Sequence, residues 1–325
     1  MEAKRTRNHA IREKSIRQNT GATDQKSLLA ETKDLLREYD LKAKKSLAQH
    51  FLIDRGILNK IVAAAELKSV DTVIEVGPGL GVLTRELAER AGRLVAVELD
   101  QHMVEILKLS FGGMSNVIII HKDVLDATPE GLFGEAGFSQ KVQPEGIVFS
   151  PENPLRYKVV ANLPYYITSA VLRHFLEANL KPELIVVMVQ KEVARQIVAP
   201  PGDMSILSVS VQFYGTPKII GTVSRGSFYP APDVDSAILR VDIHPTPLLP
   251  SGEDEGFFDI VHAGFCAARK QIHNAISQGL RIPNEEAISI LKEGGIEPSR
   301  RAETLSVAEW VHLYETYREM RKTKC

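Results

Sequence analysis

Two short stretches hold residue types that could do chemistry together. The first, Glu75-Val76-Gly77-Pro78-Gly79-Leu80-Gly81, joins an apolar run to an amphipathic one. In that setting closely spaced glycines let the backbone approach a ligand beside a helix N-terminus. The dinucleotide fingerprint G-x-G-x-x-G would need a glycine at position 82, where Val82 stands; the spacing here is G-x-G-x-G, with an acid two residues before the first glycine. A loop without a dedicated pyrophosphate contact, and with a carboxylate close by, suits a ligand carrying a cationic amine and a sulfonium better than it suits NAD. S-adenosyl-L-methionine has that form. The competing reading is that Gly77, Gly79 and Gly81 merely serve a tight turn.

The second stretch, Asn162-Leu163-Pro164-Tyr165-Tyr166, ends the apolar run YKVVAN. The exocyclic amine of adenine is a poor nucleophile because its lone pair is delocalised into the ring. Catalysis at that nitrogen needs acceptors that hold its hydrogens and aim it at a methyl group, and the Asn162 side-chain oxygen and the Leu163 carbonyl are such acceptors. Pro164 stiffens the turn, and Tyr165 offers a π-face to a flipped base, worth ~1–3 kcal/mol against a flipping cost of a few kcal/mol. Transfer itself is an in-line displacement driven chiefly by proximity and orientation, with no evident need for a general base. The alternative is a strand-ending turn with a packed tyrosine pair.

Two further acids follow strand-like runs. Glu98, about 20 residues past the glycine loop, is positioned to accept hydrogen bonds from ribose hydroxyls. At Lys122-Asp123-Val124 a carboxylate can accept from an adenine amino group and a backbone N–H can donate to the ring. Each could be a solvated strand-end residue, but Glu75, Glu98 and Asp123 at three successive strand ends share one ligand edge.

The elements that must position these residues alternate in type. Apolar runs TVIEV, RLVAVEL, NVIIIH, YKVVAN and ELIVVMV are interleaved with helical segments such as VLTRELAERAG, QHMVEILKLSF and SAVLRHFLEAN. That alternation predicts an α/β fold with a doubly wound parallel sheet. Two amphipathic helices, in SLLAETKDLLREYDL and DRGILNKIVAAAEL, are expected before the first strand, and PKIIGTVS and DSAILRVDI are expected to pair antiparallel at one edge. Residues 27–244 form this domain, with an irregular surface insertion at about 127–156. Residues 245–256 (PTPLLPSGEDEG) read as a linker and residues 257–325 as a small helical C-terminal domain, its last helix capped by Ser306 with Glu309 completing a capping box.

Of the 325 residues, 44% are hydrophobic and 25% charged, and no apolar stretch reaches the ~18–20 residues of a membrane span. Two cysteines, Cys266 and Cys325, make neither a disulfide framework nor a zinc site, so no metal is expected and a reducing, cytoplasmic location is. The net charge is −1, so any nucleic-acid surface is local. Residues 1–48 carry 12 Lys/Arg against 7 Asp/Glu, and residues 1–26 read as a basic, flexible extension. Glu2, Glu13 and Asp24 argue against a mitochondrial transit peptide. In the C-terminal region Arg269, Lys270, Arg281, Arg300 and Arg301 are candidates for phosphate contacts, although nearby glutamates nearly balance them. A monomer is expected, since no extended apolar seam is evident.

The set KKSLAQHFLID (Lys44 to Asp54), EVGPGLGVLT, VELD, NLPYYIT, MVQKEVA and SFYPAPDVDSA (Ser227 to Ala237), in that order and spacing, resembles the KsgA-type (RsmA-type) ribosomal RNA adenine dimethyltransferases from about Glu31 to the C-terminus. The resemblance implies a Rossmann-like class I methyltransferase that uses S-adenosyl-L-methionine to make N6,N6-dimethyladenosine at two neighbouring positions near the 3′ end of 16S rRNA during small-subunit assembly. It also implies that Gln49, His50 and Leu52 border the methionine end of the cofactor. Gly77 and Glu98 then lie on its adenosine side, with Asp123 and Val124 at its adenine, and Asn162 is shared by cofactor and target. Phe228 would sandwich the target base with Tyr165; from the residues alone it is equally an edge-strand core residue. The relatives that confer macrolide resistance by methylating large-subunit RNA share the sheet motifs, and a non-catalytic assembly factor on the same scaffold is a third possibility. This chain departs from the family pattern at His50, often Asn, and at Asp233, usually Lys; the first would make cofactor affinity sensitive to pH near neutrality.

Overall fold

The computed structural model describes residues 26–40, 50–137 and 155–324. Helix α1 (Leu28–Glu38) starts at Ser27, whose side chain accepts from the Ala30 N–H, and a two-residue strand β1 (Phe51–Leu52) leads to α2 (Arg55–Ala65), capped by Asp54. The first half of the sheet domain is β2 (Thr72–Val76), α3 (Val82–Ala88), β3 (Arg93–Glu98), α4 (Gln101–Phe111) and β4 (Val117–His121). The second half runs through α5 (Pro129–Glu135), β5 (Tyr157–Asn162), α6 (Thr168–Glu177), β6 (Leu184–Gln190), α7 (Lys191–Ile197), α8 (Ile206–Tyr214), β7 (Gly215–Val223), β8 (Phe228–Tyr229) and β9 (Ser236–Ile243). Four helices complete the chain: α9 (Asp254–Phe265), α10 (Ile272–Leu280), α11 (Asn284–Glu293) and α12 (Val307–Lys324).

Seven strands form one sheet in the order β4-β3-β2-β5-β6-β9-β7, parallel except for β9, which is antiparallel to both neighbours. The chain order reverses between β2 and β5, and the carboxyl ends of those adjacent strands define a crevice. Both faces of the central strands β2, β3, β5 and β6 are buried because those strands are apolar at consecutive positions. Ile74, Val159 and Val187 pack on one side with α5, α6, α8 and the C-terminal helices, while Val73, Val160 and Val186 pack on the other with α2 and α3. The C-terminal helices share the first of these cores: Phe257 of α9 stacks on Phe213 of α8 with ring centroids 4.2 Å apart. The capping box at the start of α12 is formed, with Glu309 N donating to Ser306 Oγ (3.2 Å) and Ser306 N to Glu309 Oε2 (2.8 Å).

The fold differs from the sequence reading in three places. The two leading helices are separated by β1, which pairs with β8 as a small second sheet. The stretch expected as a surface insertion contains α5, whose Leu132 and Phe133 are core residues; Thr128 caps it and Pro129 occupies its first turn, so a short capped helix replaces irregular chain. Residues 138–154 of that stretch, together with residues 1–25 and Gln49, lie outside the described residues. The expected linker buries Leu249, and α9 begins inside it at Asp254, whose carboxylate accepts from the Tyr214 hydroxyl (2.9 Å). ILSVSVQFY, to which the sequence reading assigned no element, forms helix α8 despite its β-branched and aromatic composition, because Ser205 and Ser208 form a capping box and tertiary burial outweighs propensity.

Candidate active site

The glycine loop leaves β2 and enters α3 with Gly77, Gly79 and Gly81 all at positive φ (67°, 57° and 80°). Three hydrogen bonds fix its course: Gly77 N to the Val97 carbonyl, Gly79 N to Glu98 Oε2 and Gly81 N to the Pro78 carbonyl, each 3.0 Å. At Gly81 a Cβ would come within 2.5 Å of the Phe111 ring, so both conformation and space require glycine there. Gly81 is therefore a helix-capping residue packed on α4 rather than part of the crevice wall, a correction to its expected place beside Gly77 and Gly79, which do line the crevice.

The three acids are treated differently by their surroundings. Glu75, at the penultimate position of β2, is fully buried, and its Oε2 has no hydrogen-bond partner among the described residues. Burial pushes its carboxyl up to about 8; the nearby Thr84 hydroxyl moderates the shift without completing a hydrogen bond, and the charge of Glu98 adds to it. Glu98, at the end of β3, accepts from Gly79, Leu99 and Asp100 N–H groups at 2.9–3.0 Å. Burial raises its pKa and those three donors pull it back. Asp123 Oδ1 accepts from Leu125 N (3.0 Å), which fixes the turn after β4 where Asp123 and Val124 meet the crevice.

Across the switch point, β5 ends at Asn162. Its Nδ2 donates to the His50 carbonyl (3.3 Å), and among the described residues its Oδ1 is left as an acceptor with no donor. Leu163 is buried, and Pro164 leads into a single 3₁₀ turn, Tyr165–Ile167. The Tyr165 ring stacks on the His50 ring with centroids 6.0 Å apart and planes 26° from parallel, and its hydroxyl hydrogen-bonds Ser236 Oγ (2.8 Å). Burial raises the Tyr165 pKa, Ser236 opposes the shift and Asp235 adds to it. His50 Nδ1 donates to the Pro230 carbonyl (2.8 Å). Pairing of β1 with β8 places Leu52 opposite Phe228, and both residues reach the crevice. Phe228 is also packed in the core beneath β1, as its reading as an edge-strand core residue expects.

One crevice thus unites His50, Leu52, Gly77, Gly79, Glu98, Asp123, Val124, Asn162, Leu163, Pro164, Tyr165 and Phe228, from segments up to 178 residues apart. Sequence reasoning gave no site role to Phe51, whose ring lies 3.5 Å from where a Gly79 Cβ would sit, or to Tyr166, which stands 62% exposed at the rim. It also gave Ser236 no role, although the residue lies in a quoted motif. Whether the crevice fits S-adenosyl-L-methionine can be judged from Glu75: a buried carboxylate with an unpartnered oxygen, set among apolar walls, is satisfied by a cationic ligand with an apolar body. Among the described residues no group of three or more His, Cys, Asp or Glu could hold a metal ion, and no helix is long and apolar enough to cross a membrane.

Residues 40–319 match the family model described as ribosomal RNA adenine dimethylase. The ribosomal RNA small subunit methyltransferase A of Dehalococcoides mccartyi strain CBDB1 is 50% identical over 291 residues, covering 90% of this chain and 94% of the relative. The protein of the same name from Bacillus mycoides strain KBAB4 is 41% identical over 287 residues, covering 87% and 94%. Among solved structures, the 23S rRNA methyltransferase ErmE superposes with a TM-score of 0.61 at 29% identity, over 82% of this chain and 98% of its own. A dimethyladenosine transferase from Plasmodium falciparum gives 0.66 at 22% identity over 83% and 98%, a likeness of fold.

Proposed function

We propose a substrate and a mechanism from the premise that the chain belongs to the ribosomal RNA adenine dimethylase family. On this reading it dimethylates N6 of two adjacent adenosines near the 3′ end of 16S rRNA, using S-adenosyl-L-methionine, as a cytoplasmic monomer acting during small-subunit biogenesis. The observation that carries the reading is the meeting, at one switch point, of the glycine loop with an Asn162 whose Oδ1 is left as a free acceptor. Sequence relatives at 39–50% identity that are named for the small subunit favour that RNA over the large-subunit substrate of ErmE.

S-adenosyl-L-methionine supplies an electrophilic methyl group when bound. Glu75 meets its positive charge, Gly77 and Gly79 admit it close to the backbone, and Glu98, Asp123 and Val124 hold the nucleoside end. Beyond its three N–H donors, Glu98 keeps one lone-pair site on Oε2 for a ribose hydroxyl. His50, Leu52 and Asn162 border the methionine end, where Gln49 joins them on the family pattern. Asn162 Oδ1 and the Leu163 carbonyl accept the two N6 hydrogens of the target adenine and turn its nitrogen lone pair toward the methyl group. Tyr165 and Phe228 hold the flipped base by stacking, which offsets the cost of extracting it from the RNA. After each transfer the nitrogen is cationic and loses one proton to water at the crevice mouth. The chain's contribution is orientation and charge, which are sufficient for an in-line displacement.

The test is methyl transfer from labelled S-adenosyl-L-methionine to unmethylated small subunits, large subunits and naked rRNA, with nucleoside products identified by mass spectrometry. Dimethyladenosine in small subunits alone is the expected result. Label in large-subunit RNA would replace the substrate, and cofactor binding without transfer to any of the three would favour a non-catalytic assembly factor.

A further inference from the structure

Topology gives the site a contribution from a strand that takes no part in the parallel sheet's usual ligand edge. Because β9 runs antiparallel to β6, its first residue lies where the parallel strands present their last: Ser236 pairs with Gln190 at the end of β6 and with Val223 at the end of β7. Ser236 is fully buried, yet its hydroxyl reaches 2.8 Å to the Tyr165 hydroxyl. The residue before it is tied down too. Asp235 accepts from Arg225 N through Oδ1 (3.1 Å) and from Lys191 N through its carbonyl (3.0 Å). Tyr165 itself sits in a one-turn 3₁₀ segment, half-buried, where the backbone alone does not fix the plane of its ring.

We infer that Ser236 is a positioning residue for methyl transfer, holding the Tyr165 ring by its hydroxyl in the plane that receives the target base. Anchored at its tip by a residue with sheet partners on both sides, and flanked by the His50 ring, Tyr165 is presented in one orientation. A ring already oriented loses no rotational freedom when the base stacks on it. Ser236 does not touch substrate or cofactor in this scheme and acts through Tyr165.

The inference rests on the reading of Tyr165 as the base platform, so the experiment separates the two. Rates on unmethylated small subunits are measured for full-length wild type, S236A, Y165F and the S236A/Y165F double variant, with S236T as the conservative control. Each single variant is expected to lose about 3- to 10-fold in kcat/KM for RNA, the double variant no more than the worse single one, and S236T to stay near wild type. The dissociation constant for S-adenosyl-L-methionine should be unchanged in S236A, a split that general destabilisation would not produce. Losses that multiply in the double variant, or a wild-type rate for S236A, would overturn the inference. If wild type transfers no methyl to small subunits, the substrate reading fails instead. The tether is then decided by whether the Tm decreases of S236A and Y165F overlap in the double variant, which supports it, or add, which overturns it.

Discussion

The two ends of the central sheet handle buried charge in opposite ways. At the amino end, Lys158 at the start of β5 is buried, but its ammonium donates to Asp71 Oδ2 (2.8 Å) and to the carbonyls of Ala65 (3.2 Å) and Glu66 (2.9 Å) at the end of α2. Arg240 joins the same cluster, bonding the Ala64 carbonyl, Glu66 and Asp242. Every charge there has a partner, and two cations close the carbonyl end of a helix. At the carboxyl end, Glu75 is equally buried and is left with an unpartnered oxygen beside a loop of three positive-φ glycines. A saturated polar cluster fixes the fold, whereas an unsaturated one stores an unfavourable state that a ligand can relieve. Substitutions at the first end should therefore alter stability, and those at the second should alter activity.

The largest effect is expected at the amino end. Lys158→Met removes the donor to a helix terminus and leaves the largely buried Asp71 without its counter-ion, so stability in urea should fall by ~3–5 kcal/mol. Folded molecules of that variant should bind S-adenosyl-L-methionine as wild type does; a large loss of affinity would show that the two ends are not separable. Next comes Asn162→Ala at the carboxyl end, which removes the free acceptor without touching the core. Methyl transfer should fall by ~10²–10³-fold with the urea midpoint nearly unchanged. A variant that transfers at the wild-type rate would remove Asn162 from the mechanism.

The division between the two ends was only half legible in the sequence. The parallel strands were readable because each is apolar at successive positions, and the quoted run TVIEV coincides with β2. The crevice followed from them, since glycines and acids at strand ends must meet at the switch point of a doubly wound sheet. Composition hid α8, whose helix depends on a two-serine cap and burial, and β1, too short to show a period. The insertion of β9 between β6 and β7 is a property of the whole sheet, so the nearness of Ser236 to Tyr165, 71 positions apart, had no local signal. Nor did the contrast between Glu75 and Lys158: both are charged residues in apolar runs, and only the neighbours supplied by other segments make one satisfied and the other not.

That contrast can be sharpened by pH. An unfolded Glu75 carboxyl ionises near 4.5, and the folded one near 8. Between those values the folded chain keeps a proton that the unfolded chain releases, so the ligand-free protein should lose stability as pH rises through this window. A cationic ligand favours the ionised form, so affinity for S-adenosyl-L-methionine should improve roughly fivefold from pH 7 to 8, the gain in ionised fraction for a group of that pKa. Glu75→Gln should flatten the stability slope and remove its share of the affinity gain. A wild-type slope retained in that variant, followed by urea unfolding and calorimetry, would place the titrating group elsewhere.

Glu66 provides the smallest effect and the opposite sign. Its carboxylate is hydrogen-bonded by Arg240, which holds its pKa below the usual range against a small burial penalty. The folded state therefore binds this proton less readily than the unfolded one: the stabilisation is present above pH 4.5 and is lost as pH falls toward the lowered value. Because the Glu66 side chain is 66% exposed, solvent screens the pair and Glu66→Gln should cost less than about 1 kcal/mol at neutral pH. Arg240 keeps Asp242 and the Ala64 carbonyl in that variant, so no buried charge is stranded. In urea titrations at pH 4 and pH 7 the gap between wild type and Glu66→Gln should narrow at the lower pH, as the unfolded chain takes up the Glu66 proton, whereas wild type and Glu75→Gln should converge there because the Glu75 carboxyl is then protonated in folded and unfolded chains alike. A loss at Glu66 as large as that at Lys158 would mean that the cluster acts as one unit, and that exposure does not divide its structural members from its peripheral ones.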